Sequence, residues 1–309
     1  MTHTAYIFPG QGSQIVGMGK SLSEAYTLAR LAFAEADDIL GFSLSRLCFD
    51  GPTETLTDTR NAQPALLVTS IAALRVVRAE RPELPVPCCV AGHSLGEYSA
   101  LVASEALSFA DAVHLTRARG EAMAQAGETA PGSMAAILRL EDEQVATLCA
   151  QAAAETGDVV QVANYNAPGQ VVISGGVAGV AAAIELAKVA GGRPRPLAIS
   201  IASHSALMVP AARAFAEHVK ATPFSDPAIP IVGNLRACPL ATPAEIQEEL
   251  IAQLTSSVRW TDSVNYMAAA GATRFIEIGP GSVLTGLVKR IRPDAATANV
   301  AEPADIASL

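Results

Sequence analysis

The 309-residue chain carries 30 acidic and 21 basic side chains, a formal net charge of −9, and 50% of it is hydrophobic. So apolar and lightly charged a chain is not disordered, and its acidic balance excludes a generic nucleic-acid binder, which needs a basic excess. At this length one large domain or two unequal ones close around an ample core.

No apolar run is long enough to span a bilayer. The best stretch, Ala65 to Val77, is interrupted by Thr69, Ser70 and Arg75. The start, Met1-Thr2-His3-Thr4, lacks the basic and apolar regions of a signal peptide. Five cysteines without C-x-x-C spacing give neither a disulfide framework nor a zinc site. Cys88 and Cys89 read as small hydrophobes in a buried strand. A cytoplasmic location is expected, with no metal, nucleic-acid or membrane partner.

Strand-like and helix-like segments alternate, which predicts an α/β fold. Tyr6 to Phe8 is a short strand ended by Pro9-Gly10-Gln11-Gly12. Helical patterns run from Ser23 to Leu40 and from Ala65 to Arg78. A buried strand, Cys88 to Ala91, precedes a helix from Leu95 to Leu107. Ser108, three residues before Asp111, opens the next helix, which runs to about Ala126.

The rhythm then changes. Met134 to Leu140 reads as a strand and Asp142 to Glu155 as a helix. Val159 to Asn164 and Gln170 to Ser174 are strands around an Asn-Ala-Pro-Gly turn. Val177 to Ala190 is helical and Arg195 to Ile201 a strand. The order β-α-β-β-α-β is the ferredoxin-like arrangement. It predicts a small subdomain at 130–198, inserted into a large α/β domain made of 1–129 and 199–309. Helices at Ala206 to Lys220, Pro243 to Leu254, Ser263 to Ala270 and Val283 to Ile291 follow, with strands at Ile229 to Gly233 and Arg274 to Ile278. The Ala- and Pro-rich tail beyond Arg292 is expected to pack loosely.

Gly92-His93-Ser94-Leu95-Gly96 fits G-x-S-x-G between a buried strand and a helix, the geometry that exposes a nucleophilic serine. The glycines permit the tight turn, and the helix N-terminus favours developing negative charge. An ordinary glycine-rich turn is the competing reading. The serine needs a base, and the chain offers only five histidines. His93 diverges from its neighbour at a sharp turn. His3 precedes the first strand, and His114 and His218 lie in helical patterns. His204, in the polar break Ala202-Ser203-His204-Ser205, is the best base by elimination. Glu141, Asp142, Glu143, Glu155, Asp158 and Glu185 lie between serine and histidine, and none is marked as a triad acid. A dyad with a backbone carbonyl orienting the histidine is the alternative. The loop around Gln11 can offer a backbone N–H to an oxyanion, beside that of Leu95. It can also be a structural turn or a phosphate loop, although it lacks P-loop and dinucleotide-binding signatures.

Taken in order, these segments resemble the malonyl-CoA:acyl-carrier-protein transacylases. The likeness rests on Phe8-Pro9-Gly10-Gln11-Gly12-Ser13-Gln14, Gln63-Pro64-Ala65 and Gly92 to Ala100. Arg119-Gly120 with Met123, Ser133-Met134-Ala135-Ala136 and Asn164 to Gln170 extend it. Ser203 to Met208 and Glu277-Ile278-Gly279-Pro280-Gly281 complete it. The resemblance implies an α/β-hydrolase-like domain with a ferredoxin-like insert. It implies ping-pong transfer of malonyl from CoA, a substrate, to the phosphopantetheine thiol of acyl carrier protein in fatty-acid biosynthesis, with no cofactor. Ser94 would be the nucleophile and His204 its base, oriented by the backbone carbonyl of Gln253. Gln11 and Leu95 would form the oxyanion hole. Arg119, rather than Arg117, would bind the malonyl carboxylate. An acidic carrier protein needs local basic surface, for which Lys289, Arg290, Arg292, Arg193 and Arg195 are candidates.

Three positions depart from the family's pattern. Thr255-Ser256-Ser257 replaces an aromatic/Asn-Pro stretch, Glu105 stands in place of a glycine, and Ala202 in place of a proline. Competing functions are the same chemistry serving polyketide or malonate-decarboxylase carriers, a plain serine esterase, and a non-catalytic carrier-binding scaffold.

Overall fold

A computed structural model of the chain describes residues 3–309. Among these residues, ten strands form two sheets. The first contains β1 (Thr4–Phe8), β2 (Cys89–Gly92), β7 (Ile231–Val232), β8 (Pro239–Leu240), β9 (Arg274–Ile278) and β10 (Ala296–Val300). The second contains β3 (Gly132–Leu138), β4 (Val160–Ala167), β5 (Gln170–Gly176) and β6 (Arg193–Pro196).

The first sheet has the order β10-β9-β1-β2-β7-β8. Its strands are parallel except for β8, which pairs antiparallel with β7. β1 and β2 are buried along their whole length, as a parallel sheet covered by helices on both faces requires. The helix Thr59–Glu80 is the described helix long and apolar enough to cross a bilayer, but 83% of its apolar window is buried inside the protein. It is a core helix, and it packs against the long helix Phe109–Thr129.

The second sheet is antiparallel, with the order β4-β5-β3-β6. Helices Asp142–Thr156 and Val177–Val189 pack together and share a separate hydrophobic cluster with this sheet. The strand–helix order predicted for 130–198 is therefore present. The two sheets are joined where Asn164 bridges Val258 and the Tyr165 N–H donates to the Val258 carbonyl at 2.9 Å.

β9 and the helix after it, Val283–Ile291, match the sequence prediction at both ends. Ser108 caps its helix as expected, its Oγ accepting from the Asp111 N–H at 3.0 Å.

Four expectations are corrected. The tail is ordered: β10 adds a parallel edge strand to β9, and the short helix Pro303–Ala307 buries Ile306. The segment Ser23 to Leu40 is two helices, Lys20–Ala25 and Thr27–Leu40, because Tyr26 takes an extended conformation. Only Arg193–Pro196 forms the last strand of the small sheet, so the segment to Ile201 is largely irregular and lies along the cleft. The helix after Ser94 ends at Ala103, and Glu105 adopts a left-handed φ of 66°. That conformation is the physical reason a glycine suits this position.

Candidate active site

Phe8 and Gly92 are register partners at the C-terminal ends of adjacent strands β1 and β2. The loops that follow them therefore emerge side by side, where ligands of open α/β sheets bind. One loop carries Gln11 and the other carries Ser94. Two glycines allow the approach. A Cβ on Gly92 would lie 1.9 Å from the Gly96 backbone, and one on Gly96 would lie 2.0 Å from the Phe8 carbonyl oxygen. Ser94 itself sits at φ 51°, a left-handed conformation that costs a non-glycine residue roughly 1–2 kcal/mol. Asn234 holds that turn: its Oδ1 accepts from the Ser94 N–H at 2.7 Å, and its Nδ2 donates to the Gly92 carbonyl at 2.8 Å.

His204 comes from the irregular segment that follows β6. Its Nε2 lies 2.8 Å from Ser94 Oγ. Its Nδ1 faces two backbone carbonyls, Gln253 at 2.9 Å and Ser256 at 3.1 Å. The acceptors fix the tautomer: Nδ1 carries the proton and Nε2 is free to accept one. Burial, reinforced by the Arg119 charge, pushes the His204 pKa down to about 3. The imidazole is thus neutral at physiological pH.

Of the other histidines, His93 turns away. Its Nε2 pairs with Asn166 Oδ1 at 2.8 Å, and its ring packs 5.5 Å from that of Trp260. His3, His114 and His218 are exposed. Asp158, one of the acids weighed as a triad member, instead accepts from the backbone N–H groups of Val159 and Gly179.

Arg119, on the helix Phe109–Thr129, is 1% exposed. Its Nη1 donates to Gln63 Oε1 at 2.8 Å, and its Nη2 donates to Gln253 Oε1 at 2.9 Å and Ser94 Oγ at 3.1 Å. All three acceptors are neutral, and Nε has no partner among the described residues. A buried guanidinium without a carboxylate partner, beside a nucleophile, is suited to bind an anionic group. The rival Arg117 lies on the neighbouring face and pairs with Glu121 at 2.6 Å.

Gln63 is positioned in turn. Its Nε2 donates to Thr59 Oγ1, whose hydroxyl donates to Gln11 Oε1 at 3.0 Å. Among the described residues, the backbone N–H groups of Gln11 and Leu95 donate to no protein acceptor. Gln11, Ser94, Arg119 and His204 line one cavity of about 220 Å³, closed on its other side by Met134, Asn166 and other residues of the small sheet.

The departure at Thr255-Ser256-Ser257 is accommodated. Ser257 Oγ donates to the Val162 carbonyl at 2.6 Å, and Gln161 Nε2 donates to the Thr255 carbonyl at 3.3 Å. The loop is thereby tied to β4 with the Gln253 carbonyl still on His204. Sequence reasoning missed Asn234 altogether, and it gave Gln63 no role. Asn234 sits in no motif and is one of several polar loop residues. Gln63 belongs to the Gln63-Pro64-Ala65 segment of the family likeness, but its partners Arg119 and Met123 are remote in sequence.

The family model for an acyl transferase domain matches residues 5–304. The malonyl CoA-acyl carrier protein transacylase of Bacillus subtilis is 48% identical over 99% of this chain and 96% of its own. A crystal structure of an acyl carrier protein S-malonyltransferase from Vibrio cholerae superposes with a TM-score of 0.94 at 45% identity, covering 99% of each chain. A malonyl-transacylase solved in complex with its type II PKS acyl-carrier protein has a TM-score of 0.95 at 40% identity, over 99% of this chain and 98% of that one. The chain belongs to the acyl transferase domain family, and within it to the malonyl-CoA:acyl-carrier-protein transacylases.

Proposed function

We propose that the protein moves a malonyl group from CoA to the phosphopantetheine thiol of an acyl carrier protein through an acyl-enzyme on Ser94. The observation that carries this reading is the Ser94 Oγ–His204 Nε2 contact at 2.8 Å with Arg119 Nη2 on the same oxygen. Ser94 Oγ attacks the thioester carbonyl as His204 Nε2 takes its proton. The carbonyl oxygen becomes an oxyanion, held by the Gln11 and Leu95 N–H groups; loss of one such donor raises a barrier by about 3 kcal/mol. The C–S bond then breaks, and His204 returns the proton to the departing CoA sulfur. The carrier's thiol enters by the reverse sequence, losing its proton to His204 and taking the acyl group. Backbone carbonyls hold the imidazole, so a Ser–His dyad accounts for the geometry without an acid.

The malonyl carboxylate lies on Arg119 in this reading, which is what separates the protein from a plain esterase. CoA is a substrate, and no step calls on a cofactor or metal. The division into 1–129 with 199–309 and an inserted 130–198 is read as a hydrolase-like domain carrying a ferredoxin-like unit. The strand orders and the separate small core support it. Five free thiols fit a cytoplasmic location.

Fatty-acid biosynthesis is the pathway in this reading. Service to a polyketide carrier is the second, favoured by the similar transacylase bound to a type II PKS acyl-carrier protein. Of the basic candidates for carrier docking, Arg290 is tied to the Pro168 carbonyl and Gln170, and Arg292 to Asp294. Exposed Arg193 and Arg195 on β6 and Lys289 remain.

The experiment is intact-mass measurement after incubation with malonyl-, methylmalonyl- and acetyl-CoA. A malonyl adduct that persists in water and is absent from Ser94→Ala is expected. Rapid hydrolysis of uncharged esters with no persistent adduct would identify an esterase instead. Relative transfer rates to fatty-acid and polyketide carriers decide the pathway.

A further inference from the structure

One buried carboxyl beneath the nucleophile has no part in the mechanism above. Glu97 lies three residues beyond Ser94 in the first turn of the following helix and is fully buried. Its Oε2 accepts from Gln253 Nε2 at 2.5 Å, and its Oε1 has no partner among the described residues. Burial raises its pKa well above the ordinary carboxylate range, helped by the Glu249 charge and opposed by the Gln253 hydrogen bond and the Arg119 charge.

The Gln253 side chain stands between this carboxyl and the guanidinium. An arginine only donates hydrogen bonds, so the Gln253 atom facing Arg119 Nη2 at 2.9 Å is the carbonyl oxygen. The amide NH2 must then find acceptors on the other side. It finds Glu97 Oε2 and, at 3.2 Å, the Ser94 carbonyl. Of these the carboxyl is the nearer. Without it the amide keeps only the Ser94 carbonyl at 3.2 Å as an acceptor, and the oxygen on Arg119 Nη2 loses the short anchor on the amide's far side. The hold on His204 is separate, because it uses the Gln253 backbone carbonyl.

We propose that Glu97 is a positioning residue for acyl selectivity: it accepts from the Gln253 amide, fixes that amide's oxygen on Arg119, and so keeps the guanidinium beside Ser94 where the acyl carboxylate binds. The proposal rests on Arg119 as the carboxylate partner. It separates two functions of Gln253. The backbone serves the base, and the side chain, through Glu97, serves the choice of acyl group.

The test is the ratio of Ser94 acylation rates from malonyl-CoA and acetyl-CoA, followed by intact mass in the full-length protein. Glu97→Leu keeps much of the volume and removes the acceptor. The malonyl-over-acetyl ratio is expected to fall about tenfold or more, the effect of loosening one charge-assisted contact, while the acetyl rate stays within about threefold. Glu97→Gln keeps an acceptor oxygen in place and is expected to retain the ratio. Glu97→Asp keeps the carboxyl but withdraws it by one methylene, and is expected to lose the preference. These two keep the question decidable if the leucine variant does not fold.

Equal loss for both acyl groups would make Glu97 merely structural and overturn the proposal. So would an unchanged ratio in Glu97→Leu or Glu97→Asp, or a ratio lost in Glu97→Gln. Arg119→Ala is the control. If it leaves the ratio unchanged, the reading of Arg119 fails and takes this proposal with it. If it lowers the ratio while the Glu97 variants do not, the proposal alone fails.

Discussion

The backbone carbonyl of Gln253 lies 2.9 Å from His204 Nδ1, in the place a serine hydrolase triad gives to a carboxylate. A carbonyl orients the ring but supplies no full negative charge, so little offsets the burial and the Arg119 charge that push the His204 pKa down to about 3. A depressed pKa means that the imidazole stays neutral, and able to accept the Ser94 proton, as the pH falls below the usual histidine value. Acylation of Ser94 by acetyl-CoA, which brings no carboxylate, is therefore expected to stay nearly flat from pH 8 to about pH 5. In Arg119→Ala one cause of the depression is gone, and the acid limb should move upward. Stopped-flow acylation rates across pH measure both. A wild-type limb near the ordinary histidine pKa would contradict the geometry.

Arg119 divides its donors among Gln63, Ser94 and Gln253. The planar fork that makes these contacts together is absent from lysine, whose ammonium is a compact charge on a flexible stem. Arg119→Lys keeps the charge and loses the shape. Its kcat/KM for malonyl-CoA is expected to drop by more than about tenfold, as for a lost charge-assisted hydrogen bond, with a smaller drop for acetyl-CoA. Equal kcat/KM losses for the two donors would place Arg119 in general support of the elbow.

The catalytic strand and its turn were legible because their signal is local. Gly92, Ser94 and Gly96 sit within one pentapeptide, and the apolar run before them reads as a buried strand. His204 was reachable because few histidines compete with it. Asn234 was not legible. Its partners Ser94 and Gly92 lie about 140 residues away in the chain, and the strand before it, β7, is only two residues long. The tail was misread for a related reason. Ala296–Val300 is an edge strand with mostly small or polar residues, and its pairing to β9 is decided by contact with that strand rather than by its own pattern. Gln253 and Arg119 needed the family resemblance. Spacing alone does not mark a helix-terminal glutamine or single out one arginine of two.

Asn234 carries the next prediction. It satisfies one half-buried donor and one buried acceptor on either side of the strained Ser94 turn. Asn234→Leu removes both partners. Each buried group left unpaired costs about 1–3 kcal/mol, and Ser94 is freed to relax from its left-handed conformation. Both a lower thermal midpoint and slower Ser94 acylation are expected, and calorimetry with acylation kinetics reads the two together. Unchanged acylation in a folded Asn234→Leu protein would show that the glycines alone hold the elbow.

Glu105 offers the opposite case, a position that the present residue fits poorly. Its φ of 66° lies in the region that favours glycine, and its side chain is exposed, so no buried contact offsets the backbone cost. A left-handed non-glycine residue costs roughly 1–2 kcal/mol, while glycine gives back about 0.5–1 kcal/mol of that in unfolded-chain entropy. The balance favours Glu105→Gly by up to about 1.5 kcal/mol. The residue sits beyond the far end of the nucleophile helix, near Arg78 and Ile229 rather than the Ser94 cavity. The denaturant midpoint is therefore expected to rise while the rate of malonyl transfer stays as it is. A lower midpoint would mean that the Glu105 side chain stabilises its turn by more than its backbone conformation costs.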